Sequence, residues 1–266
     1  MVKPARTSRP WFLMVPGLLA LAFLVIPLIA LLWQAPWGSF GAILTSPTAL
    51  DALRLSLITS VIATAFAAVV GIPLAWLLAR EVLPATNVLR AFVLVPLLLP
   101  PVVSGVALLV AFGRRGAVGQ FLYSTFGVQL PFTTAGVVLA EAFVAMPFLV
   151  ITLEGAFRSL DRRYEDAAVT LGASSWTVFR RITLPLVGPS LVAGAVLCWA
   201  RALGEFGATI TFAGNFPGVT QTMPLAVYTA LESDRSAAIA LSAILLLVCV
   251  GVLIALRGRY LRPVAP

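Results

Sequence analysis

Long apolar stretches separated by short polar ones dominate the pattern along the chain. Four runs contain no Asp, Glu, Lys or Arg: 11–33, 55–79, 91–113 and 236–256. A helix rises about 1.5 Å per residue, so about 20 mostly apolar residues cross the hydrocarbon core of a bilayer. Every one of these runs is long enough. Arg54 and Arg80 bracket the second, Arg90 and Arg114 the third, and Arg235 and Arg257 the fourth. Two further apolar stretches carry charge inside them: 133–153 holds Glu141, and 186–213 holds Arg201 and Glu205. The pattern predicts an all-α integral membrane protein with six transmembrane helices.

Composition agrees. Hydrophobic residues make up 61% of the 266 and charged residues 11%, with a mean hydropathy of +1.04. Soluble domains sit near ~45–50% apolar and ~25% charged, so a water-soluble domain and a disordered chain are both excluded. Histidine is absent, which removes any mechanism built on a His base or a His-ligated metal. Cys198 and Cys249 lie in apolar surroundings and make neither a zinc site nor a disulfide framework.

The net charge of +8 reads as topology once the loops are grouped by alternation. Thirteen basic residues fall on the side of both termini, in the groups Lys3 to Arg9, Arg80 and Arg90, Arg158 to Arg181, and Arg257 to Arg262. Four fall on the other side: Arg54, Arg114, Arg115 and Arg235. By the positive-inside rule both termini are cytoplasmic, in a multi-pass protein of the cell membrane, and no nucleic-acid partner is implied. Tails 1–10 and 257–266 then flank a six-helix domain at 11–256, and no regulatory domain is expected after Arg257. The basic head before the first apolar run resembles a signal peptide. The run exceeds the usual core of ~7–15 residues and no small-x-small cleavage site follows, so a retained first helix is expected. Trp11, Trp33 and Trp37 suit the interfacial belts.

The polar heart of the chain is the loop 154–185, placed on the cytoplasmic side by the charge split. Residues 161–172, from Asp161 through Glu165, Asp166, Ala167 and Ala168 to Gly172, have a helical composition ended by a glycine stop. Ala173, Ser174 and Ser175 can cap a second helix over 176–182, and Leu184-Pro185 leads into the fifth span. Small side chains at Ala167, Ala168 and Gly172 allow close approach by a partner, although an ordinary amphipathic surface loop has the same composition.

Inside the membrane, Arg201 and Glu205 are four residues apart on one helix face and can neutralise each other. An Arg near a span's centre costs ~2.5–3.5 kcal/mol on insertion scales. The pair is either a structural salt bridge or the polar lining of a transport path. Gly204 and Gly207 permit close packing or a bend there. Pro100 and Pro101 break the third span, as a simple kink or as a site beside a pathway, and Met146-Pro147 bears on the fourth span in the same way. Glu141 is expected to be a hydrogen-bond partner between helices.

One spaced pattern narrows this picture. Asp166-Ala167-Ala168, three residues, Gly172, nine residues, then Ile182-Thr183-Leu184-Pro185 resembles the EAA motif of ABC-importer permeases, EAA-x3-G-x9-I-x-L-P. Asp166 stands where that motif has Glu, and Glu165 precedes it. In that family the motif forms a coupling helix seated in a groove of the ATPase subunit. Further segments are similar to the molybdate-importer permeases: residues 96–101, 113–116, Arg201 to Thr209, 213–215 and 220–228, within a similarity spanning 55–256. The related sulfate permeases share the Arg-Ala-Leu-Gly-Glu segment; the Phe-Gly-Ala-Thr continuation and the Thr-Gln-Thr-Met-Pro-Leu-Ala stretch favour molybdate.

The resemblance implies a type I importer permease of MetI-like fold, working as a homodimer with two ATP-binding subunits and an extracytoplasmic oxyanion-binding protein. It implies ATPase-coupling residues at Asp161, Glu165, Asp166, Ala167, Ala168, Gly172, Ala173, Ile182, Leu184 and Pro185. The translocation pathway would involve Pro100, Pro101, Arg201, Gly204 and Glu205. The chain has no Gly-x4-Gly-Lys-Ser/Thr phosphate loop, and its sole lysine is Lys3. It is therefore expected to be a non-catalytic subunit that binds no cofactor, with ATP and Mg2+ used by the partner. The alternatives are a permease for sulfate, thiosulfate or tungstate, and a secondary transporter or channel needing no ATPase. No nucleophile–base set or metal cluster supports a membrane-embedded enzyme.

Overall fold

A computed structural model describes residues 11–260. The tail residues 1–10 and 261–266, with Lys3, Arg6, Arg9 and Arg262 of the charge count, lie outside the described residues. The described chain is helical and contains no strand. Its first half holds α1 (Trp11–Trp33), α2 (Phe40–Leu44), α3 (Pro47–Ala79), α4 (Thr86–Leu98), α5 (Pro101–Phe112) and α6 (Ala117–Phe126). Next come α7 (Thr134–Ser159), α8 (Arg163–Thr170), α9 (Ser175–Val178), a π-helical turn at Phe179–Thr183, and α10 (Leu184–Leu186). Helices α11 (Gly188–Leu203), α12 (Gly207–Phe212), α13 (Met223–Ser233) and α14 (Arg235–Tyr260) complete it.

Four helices are long and apolar enough to cross a membrane unbroken: α1, α3, α7 and α14. Two bent pairs supply the remaining candidates. Helices α4 and α5 meet at 116°, and the α9–α10 segment meets α11 at 72°. Six spans are thus present if each bent pair counts as one.

The break in the third span follows from its prolines. A residue before proline is pushed out of the α region. Leu99 precedes Pro100 and Pro100 precedes Pro101; their ψ angles are 137° and 136°. Helix α4 therefore stops at Leu98, and Pro101 starts α5 at a position that needs no N–H donor. The two halves lie at successive depths along α7. Arg90 of α4 binds Glu154 near the C-terminal end of α7, while Leu108 of α5 packs with Ala140 and Val144 nearer its start.

Helix α3 begins earlier than its apolar run. Ser46 accepts a hydrogen bond from the Ala49 N–H at 3.3 Å and Pro47 takes the first helical position. The added turns carry exposed Asp51 and Arg54, so the helix extends past the hydrocarbon layer. Helix α7 likewise runs on to Ser159, absorbing the first residues of the expected loop. Helix α14 continues past the expected boundary at 256 to Tyr260.

The main core lies between α3 and α7. Ala63, Ala67 and Ala75 face Leu149, Leu153 and Phe157, with Cys198 and Ala202 of α11 closing the third side. Lipid supplies no hydrophobic drive between helices, so close backbone packing over small residues holds such a bundle together. Helix α1, by contrast, has no buried residue.

Candidate functional site

Two places in the fold combine the predicted residues with unusual geometry. The first is the polar face formed by α8 and its neighbours. Asp161 accepts a hydrogen bond from the Arg163 N–H at 3.0 Å at the start of α8. Glu165 and Asp166 occupy its first turn, where negative charge complements the helix dipole. The stop is a glycine cap. Gly172 adopts φ +84°, the Gly172 N–H donates to Val169 O at 2.9 Å, and the Ala173 N–H donates to Ala168 O at 3.0 Å. This is the paired-bond arrangement that left-handed glycine permits after a helix. Ser174 then accepts from the Thr177 N–H at 3.3 Å and opens α9.

The two acidic residues of α8 diverge. Asp166 and Ala167 are exposed, whereas Glu165 turns inward. Arg80, the residue capping the end of α3, donates through Nη2 to both Glu165 oxygens, at 2.7 and 2.5 Å. The buried Thr183 hydroxyl of the π-helical turn donates to Glu165 Oε1 at 2.6 Å. Of the other predicted residues, Ala168, Ala173, Ile182 and Leu184 are half-buried, and Pro185 is exposed in α10. Large side chains project outward around Asp166: Tyr164, Val169, Trp176 and Leu171, the last 88% exposed. Apolar groups exposed on an otherwise polar helix mark an interaction surface.

A second ion cluster stands beside this face. Arg90 Nε donates to Glu154 Oε1 at 2.6 Å, and Arg158 approaches Glu154 at 3.8 Å and Glu81 at 3.2 Å. Glu154 is buried inside α7 because Arg90 neutralises it there.

The second place is the break between α11 and α12. The expected pair forms: Arg201 Nη2 lies 2.5 Å from Glu205 Oε2. The two residues do not share one helix, since α11 ends at Leu203 and Glu205 sits in the gap before α12. Each charge matches its helix end. Arg201 occupies the last turn of α11, where cations are favoured, and Glu205 Oε1 accepts from the Ala208 N–H at 2.8 Å at the start of α12. Glu205 is 1% exposed, whereas the Arg201 side chain is 28% exposed. Gly204 and Pro100 are exposed as well. Pro101 touches α12 directly: a Cβ on Gly207 would sit 2.5 Å from Pro101 Cβ. The structure thus brings the two breaks, at Pro100–Pro101 and at Gly204–Glu205, against each other.

Sequence reasoning missed Arg80, Thr183, Arg90 and Glu154 as members of polar networks. Arg80 and Arg90 stood out only as brackets around apolar runs, and their partners lie 85 and 64 residues away. Glu141 does link helices, its Oε1 accepting from Thr59 Oγ1 at 2.9 Å.

Comparison with known proteins agrees with this architecture. Residues 67–263 match the family described as "Binding-protein-dependent transport system inner membrane component". The chain belongs to this family. As a binding-protein-dependent transport permease, it is 45% identical over 253 residues to the molybdenum transport system permease protein ModB of Mycobacterium tuberculosis, covering 95% of this chain and 96% of that one. It is 36% identical over 227 residues to the sulfate transport system permease protein CysT of Escherichia coli, covering 84% and 82%. Its fold is similar to a chain of a bacterial ABC transporter that imports the acidic polysaccharide alginate, with a TM-score of 0.74, 19% identity and 96% of both chains covered. The chain is a permease subunit of an ABC importer, with the helical fold of that class.

Proposed function

We propose that this permease carries molybdate across the cell membrane, with both termini cytoplasmic, as one of two identical subunits. Two partner ATPase subunits bind and hydrolyse ATP with Mg2+, and an extracytoplasmic binding protein delivers the oxyanion. The observation carrying the coupling role is the outward face of α8 and its cap, where Asp166, Ala167 and Leu171 are exposed and Glu165 is fixed beneath them. Similarity near 45% to molybdenum permeases over nearly the whole chain, against 36% to a sulfate permease, supports molybdate over sulfate.

In this cycle ATP closes the ATPase pair, which pushes on α8 and turns the permease pair from inward- to outward-open. The binding protein then releases its anion, and hydrolysis resets the pair. Such a switch requires different contacts in the two states. Arg114 and Arg115 lie exposed in the turn between α5 and α6, with Arg114 stacked 4.3 Å over the Tyr123 ring, and serve to concentrate anions or to receive the binding protein.

The test is uptake into liposomes holding the permease, its ATPase and the binding protein. Molybdate uptake should require ATP, and sulfate should compete about tenfold less well than molybdate. Transport without the ATPase would make the chain a secondary transporter, and equal competition by sulfate would make it a general oxyanion permease.

A point substitution probes the coupling face. Nothing lies within 4 Å of a Cβ built on Gly172, so a side chain there starts in open space and projects from the coupling face. A side chain on this left-handed backbone adds a local strain of about 1–2 kcal/mol. Gly172→Trp is expected to insert normally and to lower uptake about fivefold or more, in the usual range of coupling free energies. Uptake at the wild-type rate would remove the coupling role of this turn.

A further inference from the structure

We propose that Arg80, Glu165 and Thr183 form the joint through which movement of α8 reaches the membrane-spanning helices, with Glu165 an internal strut and Asp166 beside it the outward contact. This rests on the proposed coupling to an ATPase.

The two neighbouring carboxylates have opposite surroundings. Asp166 is exposed, while the side chains of Arg80 and Glu165 retain only 10% and 18% exposure. One carboxylate therefore gathers three hydrogen bonds from two membrane elements. Arg80 closes the 33-residue helix α3, so a displacement of Glu165 acts on the end of a long rod. Thr183 is the last residue of the π-helical turn, from which α10 and then α11 continue towards Arg201. A π-turn is a strained insertion that commonly marks a functional point in a helix. It ends four residues before the 72° bend at Val187, so a push on Thr183 acts close to the point where the helix changes direction.

Other ion pairs on this face do not perform the task. Arg163–Asp161 is 3.4 Å long, largely exposed and contained within the loop. Arg90–Glu154 and Arg158–Glu81 join α4 and the end of α3 to α7 without touching α8. Among the described residues, Arg80–Glu165 is the ion pair that joins α8 to a spanning helix. Its charges are held by short, partly buried contacts with fixed geometry, whereas exposed pairs of long side chains swing freely and transmit little force.

The experiment uses the complete complex in liposomes and reads anions imported per ATP hydrolysed, together with retention of the ATPase on the membrane. Glu165→Gln and Arg80→Ala should each cut uptake about tenfold with the ATPase still bound, and the exchange Arg80→Glu/Glu165→Arg should restore it to within about threefold of wild type. Release of the ATPase by Glu165→Gln would make Glu165 a docking contact and overturn the joint, as would unchanged uptake in both single variants. A second readout needs no ATPase: a spin label on Leu171→Cys, with Cys198→Ala and Cys249→Ala, in the detergent-solubilised permease. Arg80→Ala should mobilise the label and the charge exchange should immobilise it again; an unchanged spectrum would overturn the joint. If the wild-type complex imports nothing with ATP, the proposed function falls, and the label still decides whether α8 is tied to α3.

Discussion

Replacing Arg201 by alanine is expected to abolish uptake and to lower the thermal stability of the permease. Glu205 is buried, with Oε2 2.5 Å from the Arg201 guanidinium and Oε1 capping α12. Removing one partner of such a pair leaves an uncompensated charge and costs about 3–5 kcal/mol. That single variant therefore mixes folding with function. The double replacement Arg201→Met/Glu205→Gln separates them, because removing both charges together leaves no orphaned ion and is often near neutral for stability. The glutamine carbonyl can still accept the Ala208 N–H. If the part-exposed Arg201 serves the anion path, the double variant will fold, bind its ATPase and fail to import molybdate. Melting curves in detergent and liposome uptake read the two properties independently. A double variant that folds and imports normally would reduce the pair to a structural bridge.

Apolar runs revealed the spans because hydrocarbon tolerates few unpaired charges, and that constraint acts on every residue within the layer. It does not act where a helix leaves the layer. Hence the start of α3 at Pro47 escaped a rule based on charge-free runs, although Ser46 and Pro47 are ordinary start signals. Its charge alone places Glu154 in a loop; Arg90, 64 residues earlier, permits it inside α7. Proline chemistry foretells a break near Leu99 but not its 116° angle, because the residue before a proline keeps a range of extended conformations. The spacing from Asp166 to Pro185 located the candidate coupling face. It could not tell Glu165 from Asp166, because only the positions of Arg80 and Thr183 in space turn one inward and leave the other free. The Arg201–Glu205 contact was legible from its spacing of four, although the helix that justified the spacing ends between them.

Enlarging Gly207 should have the other large effect, by prising the two helix breaks apart. Helices α5 and α12 pack with matched small and bulky positions. A Cβ on Gly207 would lie 2.5 Å from Pro101 Cβ, and one on Gly105 would lie 2.5 Å from Thr211 Cβ. Each helix thus offers a glycine to the other, four residues along from its own bulky contact. Pro101 is a ring fixed to the backbone, so it cannot swing aside as the end of a long side chain would. Overpacking of this kind typically costs about 1–3 kcal/mol. Gly207→Ala should lower the melting temperature measurably, and Gly207→Leu should prevent the α5–α12 contact altogether. The damage passes to the charge pair, because Gly207 stands directly before Ala208, whose N–H is held by Glu205. Uptake should therefore fall in the order wild type, Gly207→Ala, Gly207→Leu. Gly155 of α7 is the control: no atom lies within 4 Å of its added Cβ, and alanine in a helix is favoured over glycine by up to about 1 kcal/mol. Gly155→Ala should melt no lower than wild type. A Gly207→Leu permease as stable as the wild type would show that α5 and α12 are not in this contact.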